Sequence, residues 1–358
     1  MGGAEKIMVD LAEYIDKSDF DIYFLVYGEK EEIYEEKVKN YGGHIIHIKR
    51  PRPLYLSYYR ELKYINRQCG GFDILHTCTL LNNGLNILFF KILGCKKRIS
   101  HSHSTNSGRE NTFLTKIYER LMRKVIRCCA TDYVACGKAA GEYLYGKEFF
   151  REKGVIIPNG IDFRQFMFQP EIRTSLRKKW KLEHKFVIGN VARLDKLKNQ
   201  VMLVDILFEI RKIYADTVLI LIGEGAEREA ICMRAEELDI RDHLLMLGAR
   251  EDVNCLINML DVFVMPSEYE GMPLSLIEAQ VNGLPVVASD RISSEIRMSE
   301  AFQFIELYGK LSQWVEAILQ YRIYQRDKSS AYEILKKFDI QLCSRQLEQI
   351  YRAEPRRR

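Results

Sequence analysis

Apolar positions along this chain follow two alternating rhythms. Short runs rich in β-branched and aromatic residues occupy positions 21–26, 45–48, 73–76, 98–101 and 132–135, and a second series occupies 186–191, 218–222, 244–247, 262–265 and 286–289. Between them lie longer stretches whose apolar residues recur every three or four positions, over 4–15, 112–127, 199–214, 227–238 and 274–282. In the last of these, Leu276, Ala279 and Leu284 share helical spacing. The first rhythm predicts strands and the second predicts helices. Strands joined by helices of this length call for parallel sheets with crossover connections.

The pattern is punctuated at Ile157-Pro158-Asn159-Gly160-Ile161-Asp162, where Pro-Asn-Gly continues neither a strand nor a helix. A chain of 358 residues is also too long for one ordinary core. The expectation is therefore an α/β protein of two doubly wound, Rossmann-like domains facing a central cleft. Residues 1–157 form the first domain and 158–328 the second. The last stretch, 329–358, carries a helical pattern over 330–351 and is expected to pack back on the first domain. Ligands of such sheets bind beyond the carboxyl ends of the strands, so candidate chemistry is sought there.

Composition removes several classes of function. The nine cysteines are scattered, without a CxxC pair or a His/Cys cluster at zinc spacing, which fits reduced thiols in a cytoplasmic protein. Met1 leads straight into an amphipathic pattern rather than a signal peptide, and no run of about 18 uncharged apolar residues occurs. Charge adds one point. Residues 1–43 carry 5 basic against 11 acidic side chains, 44–150 carry 18 against 7, and 151–358 carry 31 of each. The strongly basic stretch asks for an anionic neighbour, unless it is merely a well-solvated face. It lacks any nucleic-acid-binding motif, which leaves a phosphorylated substrate or an anionic membrane surface. Within it, Lys116, Arg120, Arg123, Lys124 and Arg127 interleave with Ile117, Leu121, Val125 and Ile126. That is a basic amphipathic helix, able either to lie on anionic lipid or to pack with a solvated basic face.

The most informative segment is Pro266-Ser267-Glu268-Tyr269-Glu270-Gly271-Met272-Pro273-Leu274-Ser275-Leu276-Ile277-Glu278. A predicted strand ends, a glycine loop follows, and Pro273 sits where a first helical position belongs. The free N–H groups of that helix start make an anion site. Glu270 precedes it, and Glu278 lies roughly 7.5 Å along the helix axis. Two carboxylates beside a phosphate site suit a polyhydroxylated group on either side, because carboxylates accept paired hydrogen bonds from vicinal hydroxyls. Ribose, diphosphate and sugar have that layout. Taken alone, two glutamates eight apart would be ordinary surface residues; the strand–Gly–Pro–helix setting gives them meaning.

Three further segments join it. Arg193 and Lys198 follow the strand 186–191 on a loop leading to a helix, a pairing that suits a diphosphate although loop cations are common. Gly223-Glu224-Gly225 opens like a dinucleotide fingerprint, but Arg228 stands where the third glycine belongs, which speaks against NAD. In the first half, Gly2-Gly3-Ala4-Glu5 makes a glycine turn opening a helix, while His76, His101 and His103 fall at predicted strand ends. Such histidines either contact substrate or are structural. With no Cys, Asp or Glu beside them, a metal site is not expected. Asp19-Phe20-Asp21 has the form of a metal-holding DxD tripeptide but runs into a strand far from the other motifs, and reads as a solvated loop entry.

These segments together resemble glycosyltransferase family 4, the retaining enzymes of GT-B fold, and within it the bacterial exopolysaccharide and capsule glycosyltransferases. The resemblance runs almost end to end, through Gly2-Gly3-Ala4-Glu5, Arg98 to His103, Asn159-Gly160-Ile161-Asp162, Arg193 with Lys198, Gly223-Glu224-Gly225, and Glu270 with Glu278. It implies transfer of a hexose or N-acetylhexosamine from a nucleotide diphosphate sugar, most simply a UDP-sugar, without metal or other cofactor. The implied acceptor is an oligosaccharide on a lipid carrier at the inner face of the cell membrane, with peripheral contact to that anionic surface. It further implies that Arg193 and Lys198 neutralise the diphosphate, that Glu270 holds the sugar and Glu278 the ribose, and that the amides of Gly271, Met272, Pro273 and Leu274 line the donor. Gly2 and Gly3 would approach the phosphates, Gly223 and Gly225 would bind the donor, and His103 would line the acceptor side near the anomeric carbon. The implied mechanism is front-face displacement with retention, the site itself stabilising charge. The implied catalytic set is His103, Glu270, Arg193 and Lys198.

One departure stands out. Family members begin with an apolar strand before the Gly-Gly-Ala-Glu turn, and this sequence starts on the turn, so the first strand of the N-terminal sheet is expected to be missing from it. The alternative function is accordingly a non-catalytic or inactive nucleotide-sugar-binding remnant.

Overall fold

The computed structural model of the chain describes residues 3–28, 35–49, 55–104, 112–270, 272–326 and 336–354. It divides into two units, Met1–Gly160 with Phe338–Arg358, and Ile161–Lys337.

In the first unit the strands are Tyr23–Tyr27 (β1), His44–Ile48 (β2), Ile74–Thr77 (β3), Lys97–Ser102 (β4), Asp132–Ala135 (β5) and Gly154–Ile156 (β6). All pair in parallel, but in two pieces: β1 with β2, and β3-β4-β5-β6 in sequence order. One apolar cluster spans both pieces, joining Leu25, Tyr27 and Ile48 to Leu75, Phe90, Tyr58 and Leu62. A second packs the helices Asn83–Ile92 and Phe113–Cys129 against the larger piece through Leu85, Ile87, Met122, Ile126 and Tyr133. The helical pattern read over 330–351 resolves into a helix at Ile340–Arg352, started by Asp339, whose carboxylate accepts from the Gln341 N–H at 3.0 Å. Positions 330–335 of that reading lie outside the described residues. This helix packs on the helix Gly3–Glu13, and the Ser344 hydroxyl donates to the Leu11 carbonyl at 2.9 Å.

The second unit holds Phe186–Val191 (β7), Thr217–Ile222 (β8), Leu244–Gly248 (β9), Val262–Met265 (β10), Val286–Ser289 (β11) and Phe302–Ile305 (β12). They form one parallel sheet in the order β12-β11-β10-β7-β8-β9. Parallel sheets carry helices on both faces, so their strands are buried and apolar throughout; every residue of β8 is buried. Leu203, Leu207 and Ile210 from the helix Gln200–Ile213 and Trp314 and Ile318 from the helix Leu311–Leu319 share the core on these strands. At the foot of β10, Asp261 is gripped by Arg173 and Arg177 and accepts the Val187 N–H at 2.8 Å, which ties β10 to β7. Strand order reverses between these two neighbours: β8 and β9 follow on one side, β11 and β12 on the other. That is the topological switch point where open α/β sheets bind ligands.

The sequence missed β6 and β12. The first is three residues long and follows a helix directly, and the second is a four-residue edge strand.

Candidate active site

Two loops leave the carboxyl ends of β7 and β10 at the switch point. The first is shaped by Asp195, whose side chain accepts the Lys198 N–H at 3.2 Å and starts a single turn, Lys196–Lys198. Asn199 then takes a left-handed conformation, φ 53°, open to asparagine at low cost, and launches the helix Gln200–Ile213. The second loop is joined to the first where the Glu268 N–H donates to the Leu197 carbonyl at 2.7 Å. This places the Lys198 ammonium on the Glu270 carboxylate as a mostly buried ion pair. The Ser267 hydroxyl donates to the same carboxylate oxygen at 3.2 Å. Arg193 is placed differently. Its Nε donates to Asp195 at 2.8 Å, and its side chain is 73% exposed.

A third loop, after β8, packs on the first through the Leu194 N–H on the Glu224 carbonyl and the Glu227 N–H on the Leu194 carbonyl, at 3.0 and 3.1 Å. Gly223 and Gly225 make this possible. A Cβ on Gly223, which has φ 148°, would stand 1.9 Å from the Ala192 carbonyl oxygen, and one on Gly225 would stand 2.1 Å from that of Leu194. Arg228, at the place of a third glycine, pairs with Glu224 at 2.8 Å.

The helix after β10 runs Leu274–Val281, with Pro273 at its N-cap rather than at its first helical position; among the described residues no side chain caps it. Glu278 lies in its second turn and is buried. Met272 and Leu274 belong to the segment that enters this helix, while Gly271, like Gly2, lies outside the described residues. Gly3 is the first residue of the helix Gly3–Glu13.

The histidines of the first unit form a chain. Tyr351 Oη lies 2.7 Å from His76 Nδ1, and His76 Nε2 lies 3.1 Å from His101 Nδ1. The His101 ring in turn lies against that of His103, tilted by 35°, with centroids 3.9 Å apart. His103 Nδ1 meets the Asn159 amide oxygen at 2.9 Å, which assigns the proton to Nδ1 and leaves the lone pair on Nε2. Among the described residues, Nε2 of both His101 and His103 is buried without a hydrogen-bond partner. Burial opposes protonation throughout: His103 is lowered to about 4 and His76 to about 3, with His101 also well below its ordinary value. His103 is thus a neutral acceptor near pH 7. Asn159 was visible in the sequence as part of a break and of the resemblance, with no role of its own, and Tyr351, far along the chain, gave no signal.

The sequence placed no metal-ligating partner beside these histidines. The fold corrects this, since β3 carries His76 and leads to Cys78, and β4 brings His101 to them. Their ligand-type atoms lie within 4.8 Å of one another. The imidazoles bond to each other and to Tyr351, and burial pushes the Cys78 thiol up to about 12. A hydrogen-bonded buried chain accounts for the group. The DxD tripeptide is engaged otherwise, Asp21 with His44 at 3.0 Å and Asp19 with Arg352.

Comparison with known proteins bears on the whole chain. Residues 1–165 match the family model Glycosyltransferase Family 4, and residues 172–302 match Glycosyl transferases group 1. EpsF of Bacillus subtilis (strain 168), named as a glycosyltransferase, is 30% identical over 325 residues, covering 88% of this chain and 84% of its own. The chain belongs to glycosyltransferase family 4. The capsular polysaccharide biosynthesis glycosyltransferase CapH of Staphylococcus aureus is 21% identical over 98% of this family 4 chain and 95% of its own. Among solved structures, HepE of Anabaena in complex with UDP superposes with a TM-score of 0.79 at 19% identity, over 98% of this chain and 96% of HepE. That likeness establishes the GT-B fold for the two Rossmann-like units.

Proposed function

We propose that this glycosyltransferase moves a hexose or N-acetylhexosamine from a UDP-sugar to a lipid-linked oligosaccharide in exopolysaccharide or capsule synthesis, with retention and without a metal. The observation that carries the reading is the Lys198–Glu270 pair at the β7/β10 switch point, with Glu278 buried one helical turn and a half beyond. In the free protein the two charges satisfy each other. A nucleotide diphosphate sugar offers each a better partner: the ammonium takes the diphosphate, and the carboxylate takes sugar hydroxyls. Arg193 swings its exposed guanidinium to the same phosphates. Glu278 accepts from the ribose, and the amides from Gly271 to Leu274 complete the donor pocket. Gly223 and Gly225 keep the third loop close, and Gly2 and Gly3 line the phosphate side.

In this reading residues 158–328 bind the donor and 1–157 the acceptor, with 329–358 completing the latter. His103, neutral and with Nε2 as acceptor, receives a hydrogen bond from a hydroxyl on the acceptor side. No side chain is asked to act as covalent nucleophile. Lys198 and Arg193 hold the departing diphosphate while the incoming hydroxyl attacks from the same face. The UDP-sugar and lipid-linked acceptor are supported by two relatives. HepE has been solved with UDP-glucose, and an Escherichia coli relative, 25% identical over 307 residues, is named a UDP-Gal:α-D-GlcNAc-diphosphoundecaprenol α-1,3-galactosyltransferase. Among the described residues no helix is long and apolar enough to cross a membrane, and the enzyme works peripherally at the inner face of the cell membrane.

The test is a transfer assay on lipid-linked acceptors with labelled UDP-sugars in the presence of a chelator. Product with the anomeric configuration of the donor is expected. Transfer that needs added divalent metal, or that inverts configuration, contradicts the reading, as does unchanged transfer by Glu270→Ala and Arg193→Ala.

A further inference from the structure

The histidines of the first unit differ in how they use their ring nitrogens. His76 engages both, Nδ1 with Tyr351 and Nε2 with His101. An imidazole that serves only the fold is expected to do this, since a buried polar atom left without a partner costs about 1–3 kcal/mol. His103 engages one. Its Nδ1 is held by Asn159 at 2.9 Å, while Nε2 has no hydrogen-bond partner among the described residues. His101 also keeps a bare Nε2, but its side chain is sealed at 1% exposed, whereas His103 is only partly buried. Asn159 is itself buried and follows β6, whose pairing with β5 continues where the Ile157 N–H donates to the Ala135 carbonyl at 3.0 Å. On its other side Gly160 lies against the start of the helix Ile340–Arg352. A Cβ on Gly160 would stand 2.8 Å from Ile340 Cα and 3.2 Å from Cys343 Cβ. The segment that carries the Asn159 amide is thus clamped between the sheet and the C-terminal helix.

We propose that Asn159 is a positioning residue for transfer, holding His103 in the Nδ1–H tautomer so that Nε2 stands as acceptor for the incoming hydroxyl. An amide oxygen suits this task because it accepts the Nδ1 proton without bringing a charge, which leaves the imidazole neutral. A carboxylate in the same place would favour the imidazolium, which has no lone pair to offer. The titratable groups around the ring are His101 on β4, His76 and Cys78 on and after β3, and Tyr351 on the C-terminal helix, with Glu5 of the helix Gly3–Glu13 acting on Cys78. Asn159 takes this role only within the proposed reaction, in which His103 meets the acceptor hydroxyl.

The test compares the full chain with Asn159→Asp and Asn159→Ala, by NMR of nitrogen-labelled histidines and by transfer kinetics. Among the seven histidines, the His103 signal is identified by its loss in His103→Gln. In the wild type a protonated Nδ1 and a bare Nε2 are expected down to about pH 5, since burial lowers this group to about 4. Asn159→Asp should raise the midpoint of His103 protonation by about 1–3 pH units, and the acid limb of kcat should rise with it. Asn159→Ala should mix the two tautomers and lower kcat roughly tenfold or more, with KM for the UDP-sugar unchanged and the acid limb in place. Asn159→Asp is nearly isosteric and keeps the test open if Asn159→Ala fails to fold. A His103 signal that keeps its tautomer in Asn159→Ala and its midpoint in Asn159→Asp would overturn the proposal. Signals that move as expected while kcat and its pH profile stay unchanged would overturn it differently, by removing His103 from the reaction. Binding of UDP would still report the donor site in either case.

Discussion

Lys198 and Glu270 stand on loops from two different strands, yet they form one ion pair at the place where the strand order of the second unit reverses. Each charge is mostly withdrawn from water, and each is held there by its loop: Asp195 fixes the turn that carries Lys198, and Ser267 bonds the Glu270 carboxylate.

Removing either partner leaves the other charge partly buried and alone. Lys198→Ala and Glu270→Ala are each expected to lower stability by about 1–3 kcal/mol, less than a fully buried pair would cost because water still reaches the site. The double variant should recover part of the loss, giving a coupling of about 1 kcal/mol or more in a denaturant-unfolding cycle. Strictly additive losses would mean that the pair contributes nothing to the fold.

Gly223 is constrained by its neighbour rather than by flexibility. Gly223→Ala should push the loop after β8 away from Ala192, destabilising the second unit by about 1–3 kcal/mol or more, with left-handed backbone strain added. Gly42, also at positive φ but with open space around its Cβ direction, is the control. Gly42→Ala should cost only the conformational strain. A thermal melt of the two variants compares them, and an equal fall in midpoint would contradict the account.

How far the sequence foretold this depends on whether the signal was local. The ten β runs appear as strands because β-branched and aromatic residues packed from both sides leave a periodic trace within a few residues. Arg193, Lys198 and Glu270 were visible because each sits at a strand-to-helix turn with its own glycine, proline or charge, and Glu278 because it follows such a turn at a fixed helical distance. What brings Lys198 to Glu270 is the adjacency of β7 and β10, which no local pattern encodes. The same holds for Tyr351, Cys78 and Asn159 around the histidines. Gly223 and Gly225 read as a ligand turn, and they are where two loops touch.

The histidine chain makes the first unit acid-sensitive. In the unfolded chain an imidazole binds its proton near pH 6.5; folded, His103 waits until about 4 and His76 until about 3. In between, the unfolded state binds more protons. Stability is therefore full above pH 6.5 and lost as pH falls, at up to about 1.4 kcal/mol per pH unit for each imidazole. Cys78 and Tyr351, whose ionisation burial pushes up, stay protonated from pH 5 to 6.5, where the slope is read. Chemical denaturation across that window should show the slope, and His103→Gln should reduce it. An unchanged slope would mean that His103 is not held neutral by the fold.

Asp261 joins β7, β10 and two arginines. Asp261→Ala would strand Arg173 and Arg177 and leave the Val187 N–H without its acceptor, at an expected cost of about 3–5 kcal/mol. Loss of the second unit's thermal transition, or a large fall in its midpoint, is the expected observation. A shift of a degree or less would show that the cluster is dispensable.

The most direct test of the donor site is calorimetric binding of UDP, GDP and ADP to the purified chain in a chelating buffer. UDP is expected to bind, GDP and ADP to bind more weakly, and Lys198→Ala and Arg193→Ala each to lose tenfold or more while remaining folded. UDP binding that is unchanged in both variants, or absent from a folded wild-type sample, would contradict it.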